Sequence, residues 1–372
     1  MKRAVIILPT YNEAKNIQEL VPKIFNITQP IDNWEIHVLV VDSFSPDGTS
    51  HTIVKLIKQY PRLHLLRIKK RGLGIAYIEG FQTAIDKLNP YLLFEMDADL
   101  SHNPKSIPQF LKAIETGADF VIGSRYIKGG SIPKKWGIHR KIFSIIGNLT
   151  VRLGFMKLKI TDWTSGYRAI KVWLVKSIIN QLNRYSGYVF QIAAIDKSLK
   201  QGARIAEVPI HFEDRKRGKS KISFSQYIFD IYLYILNNSS FIRYVIVGLS
   251  GFIIDFGISY LLIEKANYIV WLSTLISAET AIISNFFFNN YWSFSHKKLE
   301  GGLFTYLTNF AKFNLVSVGA LIIQAVGIQL LVNILGKQFW YLYKAVILAF
   351  IIIPYSYILY NKVIHSASIY FV

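Results

Sequence analysis

There is no cysteine anywhere in this 372-residue chain, so disulfides, thiolate zinc sites and cysteine nucleophiles are excluded. Acidic side chains are scarce, 23 against 43 lysines and arginines, for a formal net charge of +20. Residues 241–372 hold only 4 acidic and 8 basic residues, which leaves 19 and 35 for residues 1–240. The front is strongly basic and the back nearly uncharged. A secretion signal is not expected, because only five apolar residues separate Arg3 from Pro9. In excess is apolar character, 52% of the residues, with a mean hydropathy of +0.30. The length suits two domains.

Up to about residue 125, short apolar runs alternate with amphipathic stretches. The runs AVIILPT (4–10), IHVLVVD (36–42), LHLLRI (63–68), YLLFEMD (91–97) and DFVIGS (119–124) read as strands. Segments 13–27, 49–59, 74–88 and 104–116 between them read as helices. This alternation predicts an α/β domain with a mainly parallel sheet, whose ligands bind at the carboxyl ends of the strands. Pro9, Tyr11, Asp42, Asp97 and Asp99 all fall at such ends. If 91–97 is extended, Asp97 and Asp99 project to one side, where two like charges need neutralising. A hard divalent cation, shared with substrate phosphates, would do so. The turn at Gly72 and Gly74 enters a helix.

Beyond residue 240, windows without Asp, Glu, Lys or Arg run over 266–278, 280–296, 313–336 and 345–361. They predict four membrane spans at about 243–264, 268–290, 310–335 and 340–361, near the ~20 residues that a bilayer requires. Arg243, Lys297, Lys298 and Lys362 mark one side as cytoplasmic, which places the front domain in the cytoplasm. Asp255 and Glu279 are acidic groups well inside these spans, and pairing between spans is the simple account of them. An interface helix is expected over 139–156, where Ile142, Ile145, Ile146, Leu149 and Leu153 recur beside Arg140, Lys141 and Arg152. A second, over 222–240, links front and back. The domains are thus 1–221, an interface linker over 222–240, and a membrane domain over 241–365.

Basic residues gather in GSRY (123–126), KKWGIHRK (134–141) and DRKRGKSK (214–221). Beside interface helices and spans, these clusters suit membrane lipid or a lipid phosphate, and no nucleic acid is expected. A phosphate acceptor is already an anion at neutral pH, so its attack requires no general base.

The motifs LPTYNEAKNI, VVDSFSPDGT, GLGIAYIEGF, MDADLSHNP, IGSRYIKGG, DWTSGYRAI, GYVFQIAAI and EVPIHFEDRKRGKSKIS occur in the order seen in dolichol-phosphate mannose synthases. Over residues 3–225 the chain resembles these inverting nucleotide-sugar transferases, and its tail resembles a GtrA-like domain. The resemblance implies a GT-A-like fold and transfer of mannose from GDP-mannose to polyprenyl (dolichyl) phosphate. It implies Mg2+ or Mn2+ on Asp97 and Asp99, with Ser101 in the same shell. Pro9, Tyr11, Glu13, Asp42 and Gly72 would line the nucleotide pocket, and Ser165 and Gly166 the sugar. Arg125, Arg140, Arg215 and Lys221 would grip the diphosphate or the lipid phosphate. Two departures stand out: Ser43 and Phe44 follow Asp42 where the family has a second Asp and a small or polar residue, and Ala193 replaces an acidic residue. The first leaves UDP-glucose open as the donor. A lipid-linked-sugar flippase or scaffold is the reading from another class, and a homo-oligomer is compatible with all of them.

Overall fold

The computed structural model describes residues 1–185, 187–214 and 224–364. Two compact units emerge: Met1–Leu153 with Lys157–Leu233, and Gly154–Met156 with Tyr234–Val372.

The first unit is built on a seven-stranded sheet of order β3-β2-β1-β4-β6-β5-β7. Its strands are β1 (Lys2–Thr10), β2 (Trp34–Asp42), β3 (Leu63–Arg67), β4 (Leu92–Glu95), β5 (Phe120–Ser124), β6 (Arg168–Lys171) and β7 (Ile205–Pro209). All neighbours run parallel except β6, which lies antiparallel between β4 and β5. Ala4–Leu8 and Leu92–Phe94 are fully buried. Such unbroken apolar runs mark strands covered on both faces.

The helices are α1 (Ala14–Thr28), α2 (Thr49–Ile57), α3 (Leu73–Leu88), α4 (Ile107–Glu115), α5 (Ile138–Gly154), α6 (Val172–Ile178) and α7 (Gly187–Lys200), then α8 (Phe224–Asn238). Ile17, Leu20, Val21 and Ile24 form one buried stripe of α1 in the core with Phe94 and Phe110. On α3, a Cβ at Gly80 would stand 2.7 Å from Ile7 Cγ2 and 3.0 Å from Val41 Cγ2, so glycine lets that helix sit tightly on the sheet. Register then aligns the site end: Thr10 opposes Asp42, and Ile7 opposes Glu95.

Two expectations are corrected here. The strand expected over 91–97 stops at Glu95, so Asp97 and Asp99 follow it in a loop and strand alternation does not place them. The strands β6 and β7 lay outside the sequence reading. β6 is four residues long and opens on a buried arginine, a composition that hides a strand.

The second unit holds α9 (Ser240–Tyr260), α10 (Val270–Phe288), α11 (Leu303–Leu335), α12 (Trp340–Ile347) and α13 (Ile353–Leu359), with π-helical turns at Leu261–Lys265, Asn289–Ser293, Leu348–Ile352 and Tyr360–Ile364. Gly251 of α9 lies directly against the Asn285 side chain of α10, the small-residue contact by which apolar helices approach closely. Phe286, Phe294, Phe313, Tyr357 and Tyr360 form its aromatic core. Asp255 of α9 accepts from Ser277 Oγ of α10 at 2.6 Å, whereas Glu279 is exposed. Among the described residues, one helical stretch, Ser240–Lys265, is long and apolar enough to cross a membrane. The segment expected at 340–361 is divided into α12, a π-helical turn and α13, with Pro354 in the first turn of α13.

Candidate active site

The carboxyl ends of β1, β2 and β4 lie side by side, and three loops leave from them. After β2, Asp42 is fully buried and spends its carboxylate on its own surroundings. It accepts from Thr10 Oγ1 at 3.1 Å, Ser45 N at 3.2 Å and Ser50 Oγ at 2.6 Å. Asp42 therefore shapes the loop over 43–50. At the departure from the family pattern, Phe44 is 60% exposed with φ +50°, a left-handed conformation uncommon for a bulky residue. Pro9 closes β1 one residue before Thr10. Beyond it, Lys70 Nζ sits 3.4 Å from the centre of the Tyr11 ring. Glu13 accepts from Asn16 Nδ2 at 2.5 Å and takes Thr49 Oγ1 as acceptor for its backbone N–H. Gly72, at φ +99°, starts α3.

After β4 come the paired carboxylates. Asp99 is 8% exposed, and its Oδ1 accepts from Ser101 N at 3.0 Å and Ser101 Oγ at 2.6 Å. The Asp97 side chain is about one-third exposed, at 33%. His102, buried and stacked on Tyr167, accepts the Asp97 backbone N–H through Nδ1 at 2.9 Å. Burial holds that imidazole below its usual pKa, so it is neutral with its proton on Nε2. Nε2 faces Asp97 Oδ2 at 3.8 Å. The sequence reading quoted His102 inside its motif and gave it no role. An acidic neighbour packed that tightly was the available signal.

A further loop, DWTSG (162–166), precedes β6. Arg125, at the end of β5, is 8% exposed and turned inward. Its Nε and Nη2 donate to Asp162 at 2.7 Å each, and Nη2 also reaches Thr164 Oγ1 at 2.8 Å. This bidentate pair holds Asp162 below the usual carboxylate range, overcoming the effect of its burial. Arg168, fully buried, donates to three backbone carbonyls: Ser165 at 2.7 Å, Gln191 at 2.7 Å and Trp163 at 3.0 Å. Burial lowers its pKa to about 10, leaving it charged at neutral pH. So fixed, Gly166 presents bare backbone to the site: a Cβ there would lie 3.8 Å from Asp97 Oδ1 and 3.6 Å from His102 Cε1. Ser165 is buried beside it, its N–H donated to Asp162 Oδ1 at 3.1 Å.

Beneath the pair lies Glu95, the cross-strand partner of Arg168. Burial pushes its pKa up to about 7 against the pull of the Arg168 charge. Sequence reading missed Glu95, Asp162 and Arg168 as a group, since their partnership spans the antiparallel strand.

Arg140 is half-exposed, stacked 3.9 Å over the Trp136 ring and 3.1 Å from Asp214 Oδ1, which also accepts from Trp136 Nε1 at 2.7 Å. Arg215 and Lys221 lie outside the described residues. Among the described residues, no three His, Asp or Glu side chains are grouped as a metal cage. Asp97, Asp99 and the Ser101 hydroxyl offer oxygen donors only, the ligand chemistry that suits Mg2+ or Mn2+.

Residues 5–196 match glycosyl transferase family 2, and residues 243–365 match the GtrA/DPMS transmembrane domain. The chain belongs to glycosyl transferase family 2. Three relatives of this family 2 enzyme carry related names. A dolichol-phosphate mannosyltransferase of Pyrococcus furiosus is 32% identical over 312 residues, 82% of this chain and 84% of that one. A polyprenol monophosphomannose synthase of Mycolicibacterium smegmatis is 37% identical, covering 60% of this chain and 82% of its own. An undecaprenyl-phosphate mannosyltransferase of Micrococcus luteus is 39% identical, covering 59% and 88%. Among solved structures, glucosyl-3-phosphoglycerate synthase from Mycobacterium tuberculosis, with Mn2+ and UDP-glucose, has a TM-score of 0.47 at 16% identity, over 64% of this chain and 79% of that one. That likeness is too distant to bear on the chemistry here.

Proposed function

We propose that this glycosyl transferase moves mannose from GDP-mannose to a membrane polyprenyl (dolichyl) phosphate, with inversion at the sugar carbon. One observation carries the reading: the carboxylate loop at the end of β4 belongs to a chain that matches a dolichol-phosphate mannosyltransferase over 84% of that relative's length.

Asp97, Asp99 and Ser101 would hold Mg2+ or Mn2+. The bound cation would neutralise charge on the departing diphosphate. His102 fixes the Asp97 backbone, and Ser101 orients Asp99. Pro9, Tyr11, Glu13 and Gly72 line the nucleotide, Asp42 shapes the wall beside them, and Ser165 and Gly166 meet the sugar. Arg140, with Arg215 and Lys221, takes the phosphates. Arg125 acts through Asp162, which it holds in place. The acceptor phosphate attacks as the anion it already is. The membrane domain crosses the bilayer four times with the catalytic unit in the cytoplasm, and the apolar residues exposed on α5 meet the lipid.

The test is lipid-extractable label from GDP-[14C]mannose or UDP-[14C]glucose, using the full chain in vesicles containing polyprenyl phosphate. Labelled lipid should form from GDP-mannose, vanish with EDTA and return with Mg2+ or Mn2+. Product from UDP-glucose alone would overturn the donor, and product from neither would overturn the transferase reading.

A further inference from the structure

Helix α5 is inside out. Its exposed side chains include Ile142, Ile145, Ile146, Leu149 and Leu153, each between 44% and 51% exposed. Its buried residues are Val151 and one amide, Asn148, at 3% exposure. The helix thus packs on its own domain through one small apolar side chain and an amide, with its larger apolar residues turned outward.

What the amide touches gives its purpose. Asn148 Oδ1 accepts the backbone N–H of Trp163 at 2.8 Å. Asn148 Nδ2 donates to Thr164 Oγ1 at 3.3 Å and to Ser144 O at 3.0 Å. Trp163 and Thr164 stand in the loop that ends at Gly166, against Asp97. The loop is also tied to the sheet, by Arg125 just after β5, by Arg168 of β6, and by Glu207 of β7, which accepts the Asp162 N–H at 3.0 Å. Asn148 is its tie to a helix. The other end of that helix has a different anchorage. Its last residue, Gly154, already belongs to the second unit, where its carbonyl accepts from Ser239 Oγ and Phe155 packs on Tyr234.

We infer that Asn148 is a positioning residue through which the seating of α5 on a lipid surface sets the 162–166 loop, so that sugar transfer depends on that seating. The occupant of the exposed face is anionic lipid, because the exposed cations Lys134 and Lys135 stand just before the helix that carries the exposed apolar residues. This rests on the transferase reading for its activity readout, while its structural readout is independent of the donor.

The experiment uses the full chain in phosphatidylcholine vesicles containing phosphatidylglycerol and polyprenyl phosphate, with whichever nucleotide sugar the wild type turns over. Asn148→Leu keeps the branched shape of the side chain and removes the acceptor of the Trp163 N–H. It is expected to lower kcat about 10- to 100-fold while changing the KM for nucleotide sugar under about twofold. Amide exchange in the peptide spanning 161–167 should rise about tenfold or more, with the sheet peptides unchanged. Asn148→Asp keeps the acceptor for Trp163 but turns a carboxylate oxygen toward the Ser144 carbonyl, so it should recover only part of either effect. The double variant Ile145→Lys with Leu149→Lys, on the exposed face, should loosen the same peptide in wild-type background. It should add under about twofold to the effect of Asn148→Leu, because coupled sites are not additive. If Asn148→Leu does not fold, the lysine double variant decides alone. Wild-type exchange and kcat in Asn148→Leu, or lysine variants that cut transfer without loosening 161–167, would overturn the inference. A wrong donor would show as a changed substrate with the exchange pattern intact.

Discussion

Replacing Glu95 by Gln should make the enzyme more stable in alkali and leave it unchanged in acid. Glu95 is fully buried, and that burial pushes its pKa up to about 7 from 4.5 against the pull of Arg168 and Gln191. Between those two values the folded protein keeps a proton that the unfolded chain has released. The group's contribution to stability is therefore complete below pH 4.5 and is lost as pH rises through 7. At 1.36 kcal/mol per pH unit, the loss comes to about 3 kcal/mol. Glutamine stays neutral and avoids that loss. In a unit of this size the difference corresponds to about 6–12 °C in melting temperature. The assay is thermal unfolding in detergent with EDTA present, followed by tryptophan fluorescence at pH 5 and pH 9. Glu95→Gln should melt with the wild type at pH 5 and well above it at pH 9. Parallel melting curves at both pH values would show that Glu95 is not forced to hold its proton.

Asp99→Asn should abolish transfer while GDP still binds, since it removes one charge of the pair and can keep the turn at Ser101; metal-dependent transfer near the wild-type rate would refute the assignment. Arg125→Ala should cost about 3–5 kcal/mol of stability, because Asp162 would be left charged and unpaired in the interior, and a stable variant impaired only for lipid phosphate would show that the guanidinium faces the acceptor after all. Arg140→Ala should instead raise the KM for polyprenyl phosphate about tenfold or more and leave the melting temperature nearly unchanged, with equal effects on both substrates moving Arg140 to the diphosphate.

Much of this site could be read from the chain because strand ends carry their own signature. Apolar runs that stop at Thr10, at Asp42 and just before Asp97 mark one edge of one sheet, and the register confirms their alignment. What could not be read depends on partners far apart in sequence. A basic cluster cannot say that Arg125 faces inward, because the carboxylate that turns it lies 37 residues away. Nor can helical periodicity say which face of α5 is buried: the pattern is the same whether Ile145 or Asn148 meets the protein. The strand β6 is opaque for a related reason. It contains Arg168, whose charge is tolerable only because three carbonyls, drawn from two other segments, receive it.

That strand also dictates the order in which the enzyme can come into being. β4 is synthesised by residue 95 and β5 by residue 124, yet the strand that joins them is not complete until Lys171. Until then the two carry no bond to each other, and the carboxylate-bearing strand has β1 as its only possible partner in the sheet. The helix with the outward apolar residues is made before that gap closes. A growing chain thus presents the exposed apolar residues of α5 first and becomes able to close its sheet afterwards. By the same logic, shortening the protein from its carboxyl end past Lys171 would divide the sheet through its middle.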